Sequence, residues 1–190
     1  MPVKSNQLHK IIFSALIVAA IVLYVSTQHF ATDKHALDIK HAKTATESQV
    51  IRVVDGDTIV VALNHKPETV RLLGINTPET VAPNRSVQCF GPEASARAKE
   101  LLTDKIVRLE TDPSQDNRDK YKRLLRFVFL ENPLLHKEGA GGGLNVNESL
   151  VRDGYAREYT YKMPYKYQKE FRTEQKLAKK NKRGLWRACP

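Results

Sequence analysis

The stretch from Val50 to Gly74 constrains this chain more than any other. Val50, Ile51, Val53 and Val54 form one β-branched run, Thr58 to Leu63 a second and Thr69 to Leu73 a third. Asp55-Gly56 separates the first two, and Asn64-His65-Lys66-Pro67 the next two. Such short, turn-rich breaks make neighbouring strands antiparallel. Three short strands joined by short turns predict a meander that curls into a small barrel.

The rest of the chain supplies parts to close and cover that barrel. Pro92 opens a helix at its first turn, where its missing N–H costs nothing. Ala94, Ala98, Leu101 and Leu102 give that helix a buried stripe. Ile106 to Leu109 reads as a fourth strand and Leu124 to Leu130 as a fifth. Glu138 to Gly143 is a Gly-rich connection without the lysine-serine ending of a phosphate loop. Asn147 to Arg152 reads as a short helix with Gly154 as its cap. Tyr165 to Lys182 reads as a longer one, with Tyr167, Phe171 and Ala178 on its buried side and Gly184 at its end. Its lysines read as a solvated face.

The N-terminal third differs. Residues 11–25 carry no charge, and Lys4 and Lys10 precede them. This is an export signal, long enough to span a bilayer when Ser26 and Thr27 sit at the interface. Neither His29-Phe30-Ala31 nor Val25-Ser26-Thr27 offers a good small-x-small cleavage site. The reading therefore favours a signal anchor over residues 11–27, with residues 1–10 in the cytoplasm and the remainder outside. A cleaved signal peptide and a secreted or periplasmic product is the alternative. Residues 28–48 read as a polar stalk, residues 49–187 as the folded domain and 188–190 as a tail. Outside the cytoplasm Cys89 and Cys189 can pair, tying the tail to the loop before the first helix; two free thiols is the other reading.

The 190 residues carry a net charge of +10. That favours an anionic partner, either nucleic acid or an anionic membrane surface. Two cysteines so far apart exclude a zinc framework.

The chemistry-bearing residues sit at strand ends. Asp55 and Asp57 close the first strand, and Asn76, Thr77 and Glu79 follow the third. Arg71 lies inside that strand. On strict alternation it shares a face with Leu73, so a guanidinium competes there for core space. Asp57, the Asn76 amide oxygen and the Thr77 carbonyl form an oxygen donor set suited to Ca²⁺. Glu79 is placed to take a proton from water. Arg71 suits a phosphate, and Arg123, at the entrance of the last strand, can complete the clamp. Lys120 and Tyr121 can meet a neighbouring phosphate. Tyr159 and Tyr161 offer rings for base stacking, with ordinary packing the competing reading.

These segments, in this order, resemble the staphylococcal nuclease family. The resemblance runs from about Gln49 to Trp186. It rests on Val-Asp-Gly-Asp-Thr (54–58), Arg-Leu-Leu-Gly-Ile-Asn-Thr-Pro-Glu-Thr (71–80) and Phe-Gly-Pro-Glu-Ala-Ser (90–95). It continues through Asp-Lys-Tyr-Lys-Arg (119–123), Val-Asn-Glu-Ser-Leu-Val-Arg-Asp-Gly (146–154), Tyr-Thr-Tyr-Lys (159–162) and Gly-Leu-Trp (184–186).

The resemblance implies an α+β fold, an OB-type five-stranded barrel with three helices, here preceded by the N-terminal hydrophobic helix. It implies Ca²⁺-dependent hydrolysis of DNA and RNA that leaves 3′-phosphates; single-stranded DNA is the expected substrate, with RNA or double-stranded DNA as the alternatives, and no obligate protein partner is implied. In that pattern Asp57, Asn76 and Thr77 bind the metal. Arg71, Glu79 and Arg123 are catalytic, and Lys120, Tyr121 and Tyr159 hold the adjacent nucleotide. The chain departs from the pattern at Asn76, where the family has an aspartate, and at Lys122, where a glycine is common. A non-catalytic OB module that binds nucleic acid at the cell surface is the competing reading. A third is a nuclease for DNA uptake or processing beside a membrane complex.

Overall fold

The structure, a computed structural model, describes residues 45–80, 86–131 and 143–189. The anchor at 11–27, residues 28–44 of the stalk and most of the Gly-rich connection lie outside the described residues.

The meander forms as expected. Strand β1 (Ala45–Asp55) pairs antiparallel with β2 (Thr58–Leu63), which pairs with β3 (Lys66–Leu72). β1 begins at Ala45, four residues before the expected domain start at Gln49, because Ala45 to Gln49 find partners on a later strand, β5 (Ile106–Glu110). The β2–β3 turn is only Asn64-His65, both with positive φ, as a two-residue hairpin of right-handed twist requires. Pro67 therefore lies within β3 opposite Ala62, not in the turn. The pairing of β3 with its second neighbour starts only at Val70, so the N–H that Pro67 lacks falls on an open edge.

Strand β6 (Leu124–Glu131) pairs antiparallel with β5 and parallel with β3, which closes a five-stranded barrel. A short β7 (Gly143–Asn145) extends β6, and β4 (Ile75–Asn76) pairs with β8 (Arg157–Glu158) in a separate ribbon.

Helix α1 (Gly91–Leu102) buries Ala94, Ala98 and Leu102. Helix α2 (Val146–Arg152) is capped by Asn145, whose side chain accepts the Glu148 N–H at 3.2 Å. Helix α3 (Gln168–Lys180) buries Phe171 and Ala178 and is followed by the single turn α4 (Leu185–Ala188). α3 starts three residues later than expected. The Lys166 N–H donates to Asp112 at 2.7 Å, and the Tyr165 hydroxyl donates to the Gly74 carbonyl at 3.1 Å; these bonds hold the preceding turn out of the helix. Phe127, Tyr165, Tyr167 and Phe171 then meet ring to ring between barrel and helix.

The barrel seam is held by a side chain. Asn147 is fully buried; its Nδ2 donates to the Leu73 and Arg126 carbonyls at 2.8 and 3.3 Å, and its Oδ1 accepts the Val128 N–H at 2.9 Å. It thereby joins the end of β3 to β6. Cys89 and Cys189 form a disulfide with Cα atoms 5.9 Å apart, linking the loop before α1 to the C-terminal tail. Among the described residues no helix is long and apolar enough to cross a membrane.

Candidate active site

The β1–β2 turn and the end of β3 meet at Asp57. Its carboxylate is almost wholly buried, with Oδ1 accepting the Thr58 hydroxyl at 3.1 Å and Oδ2 accepting the Thr77 N–H at 2.9 Å. The Asp57 carbonyl accepts the Leu72 N–H at 2.8 Å. Gly56 makes this approach feasible: a Cβ there would lie 2.7 Å from the Thr77 side chain, too close for any other residue. The two segments singled out in the sequence are thus one packed unit.

Arg71 completes it. Val70 and Leu72 take the core face of β3, with exposures of 0% and 1%, so Arg71 occupies the opposite face and does not compete for the core. Leu73 does not share the face of Arg71, because it lies beyond the strand end and is buried independently of the alternation. Arg71 Nη2 reaches Asp57 Oδ2 at 3.0 Å and Asn76 Oδ1 at 3.1 Å, while Nη1 donates to the Leu72 carbonyl at 2.9 Å. The partner that a half-buried guanidinium needs is therefore Asp57, and the same donor nitrogen also serves Asn76.

Asp55 adds a second carboxylate to the turn and accepts the Asp57 N–H at 3.1 Å. Burial, then the negative charges of Asp57 and Glu79, push its carboxyl up to about 6. Like charges crowded this way favour a cation beside them.

Arg123 arrives from the loop before β6. Asp119 shapes that loop: its Oδ1 accepts the N–H groups of Tyr121 and Arg123, both at 2.9 Å, and its Oδ2 accepts Arg123 Nε at 2.7 Å. Arg123 Nη1 then reaches the Thr58 hydroxyl at 3.5 Å, so both arginines converge on the Asp57-Thr58 corner. Tyr121 lies exposed beneath the Lys120 and Arg123 cations, 4.9 and 5.3 Å from its ring centre. Arg118 fixes the loop to β3 through a two-pronged pair with Glu68 at 2.9 and 3.0 Å. Arg118 and Asp119 belong to the basic segment 118–123 read in the sequence as a cationic turn, but their parts in holding this loop were not read there, although an acidic residue four before Arg123 was a readable sign.

Glu79 is held on another side. Its N–H donates to the Gln88 side chain and its carbonyl accepts the Gln88 N–H, both at 2.9 Å, and its Oε1 accepts the Thr80 N–H at 3.0 Å. Gln88 directly precedes the disulfide. Tyr159 donates its N–H to the Gly74 carbonyl at 2.9 Å and faces solvent, its ring 6.4 Å from that of Tyr161.

The donors at this corner are all oxygen: the Asp55 and Asp57 carboxylates, the Asn76 amide and the Thr77 carbonyl. Among the described residues no three Asp, Glu, His or Cys side chains converge into a ready-made metal cage. The set nevertheless suits a hard cation such as Ca²⁺, which accepts mixed carboxylate, amide, carbonyl and water oxygens.

Residues 69–188 match the family described as staphylococcal nuclease homologue. The chain is 38% identical to a thermonuclease of Staphylococcus hyicus over 179 residues, covering 93% of this chain and 98% of that protein. It is 38% identical to the endonuclease YncB of Bacillus subtilis over 164 residues, covering 86% of this chain and 71% of that one. It is 35% identical to a thermonuclease of Staphylococcus intermedius over 182 residues, covering 93% and 98%. With its closed five-stranded barrel, its three covering helices and its paired arginines, the chain belongs to the staphylococcal nuclease family and is a hydrolase of the nuclease type.

Proposed function

We propose that the protein is a Ca²⁺-dependent endonuclease that hydrolyses DNA and RNA to leave 3′-phosphates, held outside the cytoplasm by the anchor at residues 11–27. The observation that carries the reading is the convergence of Arg71 and Arg123 on the corner formed by Asp57 and Thr58. Two guanidiniums at one corner suit the non-bridging oxygens of one phosphodiester, Arg123 through its Nη groups and Arg71 by giving up its Nη2 bonds to Asp57 and Asn76.

Asp57, Asn76 and the Thr77 carbonyl would hold Ca²⁺, with Asp55 beside them, and the ion when bound supplies Lewis acidity at the phosphate. Arg71 and Arg123 bind the phosphate and stabilise the charge that builds as water adds to phosphorus. Glu79 accepts the proton of that water. The bond to the 5′-oxygen breaks, and the phosphate stays on the 3′-oxygen. Lys120, Tyr121 and Tyr159 border the place of the adjacent nucleotide. A pure binding module needs cations for affinity but has no use for a general base, so the retained Glu79 favours catalysis.

The test is cleavage of single-stranded DNA by the full-length protein, in Ca²⁺ and in chelator, beside Glu79→Gln. General-base loss costs about 10²- to 10⁴-fold in rate. Absence of Ca²⁺-dependent cleavage, or undiminished cleavage by Glu79→Gln, overturns the mechanism. Products that resist 3′-extension until treated with phosphatase support 3′-phosphate ends. The mass of the protein recovered from its native membrane, against that of the full chain, tests the anchor.

A further inference from the structure

The charge of this protein is concentrated in one place. Residues 166–189 hold nine Lys or Arg and two Glu, which is seven of the ten excess positive charges of the chain. Helical spacing sorts them. At 3.6 residues per turn, Lys169, Arg172, Lys176, Lys179 and Lys180 fall within an arc of about 100° on α3, opposite buried Phe171 and Ala178. Glu170 and Glu174 lie outside that arc, on the other flank. Neither has a cation three or four residues after it, so the helix forgoes the intrahelical pairs that a merely soluble face would use. Among the described residues the acidic partner of this stripe is Glu158, 3.5 Å from Arg172. Lys169, Lys176 and Lys180 are exposed and have no carboxylate partner among the described residues.

The stripe is joined to the active site. Lys179 lies 4.5 Å from the centre of the Trp186 ring, and Arg157 lies 5.2 Å from it. Arg157 belongs to β8, where its pairing partner in β4 is Asn76. A cationic path therefore runs from the strand that carries a candidate metal ligand, over Trp186, onto the length of α3. The helix is roughly 20 Å long at 1.5 Å per residue.

We propose that this stripe is a docking track for the phosphate backbone of a long polynucleotide, separate from the nucleotide held at Arg71, Arg123 and Tyr121. The proposal rests on the chain being a nuclease, and its substrate is a polyanion longer than the catalytic corner spans. Unpaired lysines on one helical face are point charges suited to phosphates without regard to sequence. They add affinity in proportion to the counterions they release.

The experiment uses the full-length protein with Lys169, Lys176 and Lys180 all changed to Glu, a milder triple with Gln, and a control triple of equal charge change, Arg52→Glu, Lys99→Glu and Lys105→Glu. Binding of a 30-nucleotide and a 3-nucleotide single strand is measured by fluorescence anisotropy in chelator across NaCl concentrations. Cleavage of both is measured in Ca²⁺. The stripe triple is expected to weaken 30-mer binding at least tenfold and to reduce the slope of log K against log salt by about 2, since each lost phosphate contact on a single strand removes about 0.7. Its KM for the 30-mer rises in step, and its handling of the 3-mer stays within twofold of the parent. The Gln triple gives a smaller change in the same direction.

An equal effect of the control triple shows that only the overall field matters and overturns the track. So does equal weakening on both lengths, or no weakening at all. Binding to vesicles of phosphatidylglycerol and phosphatidylcholine is the comparison arm. If the stripe triple loses vesicles but keeps the 30-mer, the stripe is a membrane-facing surface and the proposal fails. A parent protein that binds the 30-mer yet cuts neither substrate refutes the nuclease reading alone, and the binding data still decide the track.

Discussion

Replacing Asn147 by Ala removes the side chain that spans the barrel seam. The Val128 N–H loses its acceptor at 2.9 Å, and the Leu73 carbonyl loses its donor at 2.8 Å. The Arg126 carbonyl keeps the Leu73 N–H at 2.9 Å, so it is not orphaned. Two buried backbone groups left without partners cost about 1–3 kcal/mol each, or about 2–6 kcal/mol together. For a domain of this size, at about 4 °C per kcal/mol, that is a drop of roughly 8–24 °C in Tm. The control is Asn145→Ala, which removes only the α2 cap bond to the Glu148 N–H and costs about 1 kcal/mol. Urea unfolding of the full-length protein, read by the fluorescence of its one tryptophan, Trp186, compares the two. The m-value should stay constant. If Asn147→Ala costs no more than Asn145→Ala, the seam does not depend on this side chain and the reasoning is wrong.

Other substitutions probe the backbone around the site. Lys122 sits at φ +67°, where an L side chain is strained, so Lys122→Gly should stabilise the protein by about 1 kcal/mol in the same urea assay and leave cleavage intact. Gly74 is at φ +79°, and a Cβ there would lie 2.7 Å from the Tyr165 ring; Gly74→Ala should cost at least about 2 kcal/mol and broaden the Tyr165 resonances in an NMR spectrum. Cys89→Ser opens a loop of 100 residues and should lower stability by about 2–4 kcal/mol, an effect that a reductant reproduces in the parent and not in the variant. Asn76→Asp should improve apparent Ca²⁺ affinity about tenfold in activity titrations, and a fall instead would remove residue 76 from the ligand set.

Much of this architecture was legible from local chemistry. β-Branched runs broken by Asp-Gly and Asn-His have few options beyond a meander, and Pro92 marks a helix start through backbone geometry alone, whereas α3 ends at Lys180, with Lys182 at positive φ, and Gly184 instead caps the start of α4. What escaped was set by tertiary contacts. Ala45 to Ser48 look like linker because nothing in them is apolar enough to demand burial; they become strand because β5 offers a free edge. Tyr165 to Tyr167 look like the first turn of a helix, but bonds to Asp112 and Gly74 outweigh that local preference. Asn147 reads as an ordinary polar residue near a helix start, whereas Asn145 is the cap and Asn147 points into the core. At the site, residue types could be chosen from the sequence, but the sharing of one Arg71 nitrogen between Asp57 and Asn76 could not.

That sharing changes what the asparagine at 76 means. Arg71 Nη2 has one charged acceptor, Asp57, and one neutral acceptor, Asn76. The guanidinium and the Asp57 carboxylate thus balance one for one, as do Arg123 and Asp119 beside them, and Asp55 and Glu79 add the excess negative charge. An aspartate at 76 would give Arg71 two carboxylates and leave the corner one unit more negative, an arrangement that draws a cation harder but also holds the guanidinium more tightly. With asparagine, the guanidinium is bound by one charge only, so on the proposed ligand set and phosphate clamp a residue that would hold a metal ion less tightly also lowers the cost of turning Arg71 toward a phosphate. On that proposal, affinity for the cation and freedom of the arginine are opposed at this position, and Asn76 sits on the side that favours the arginine.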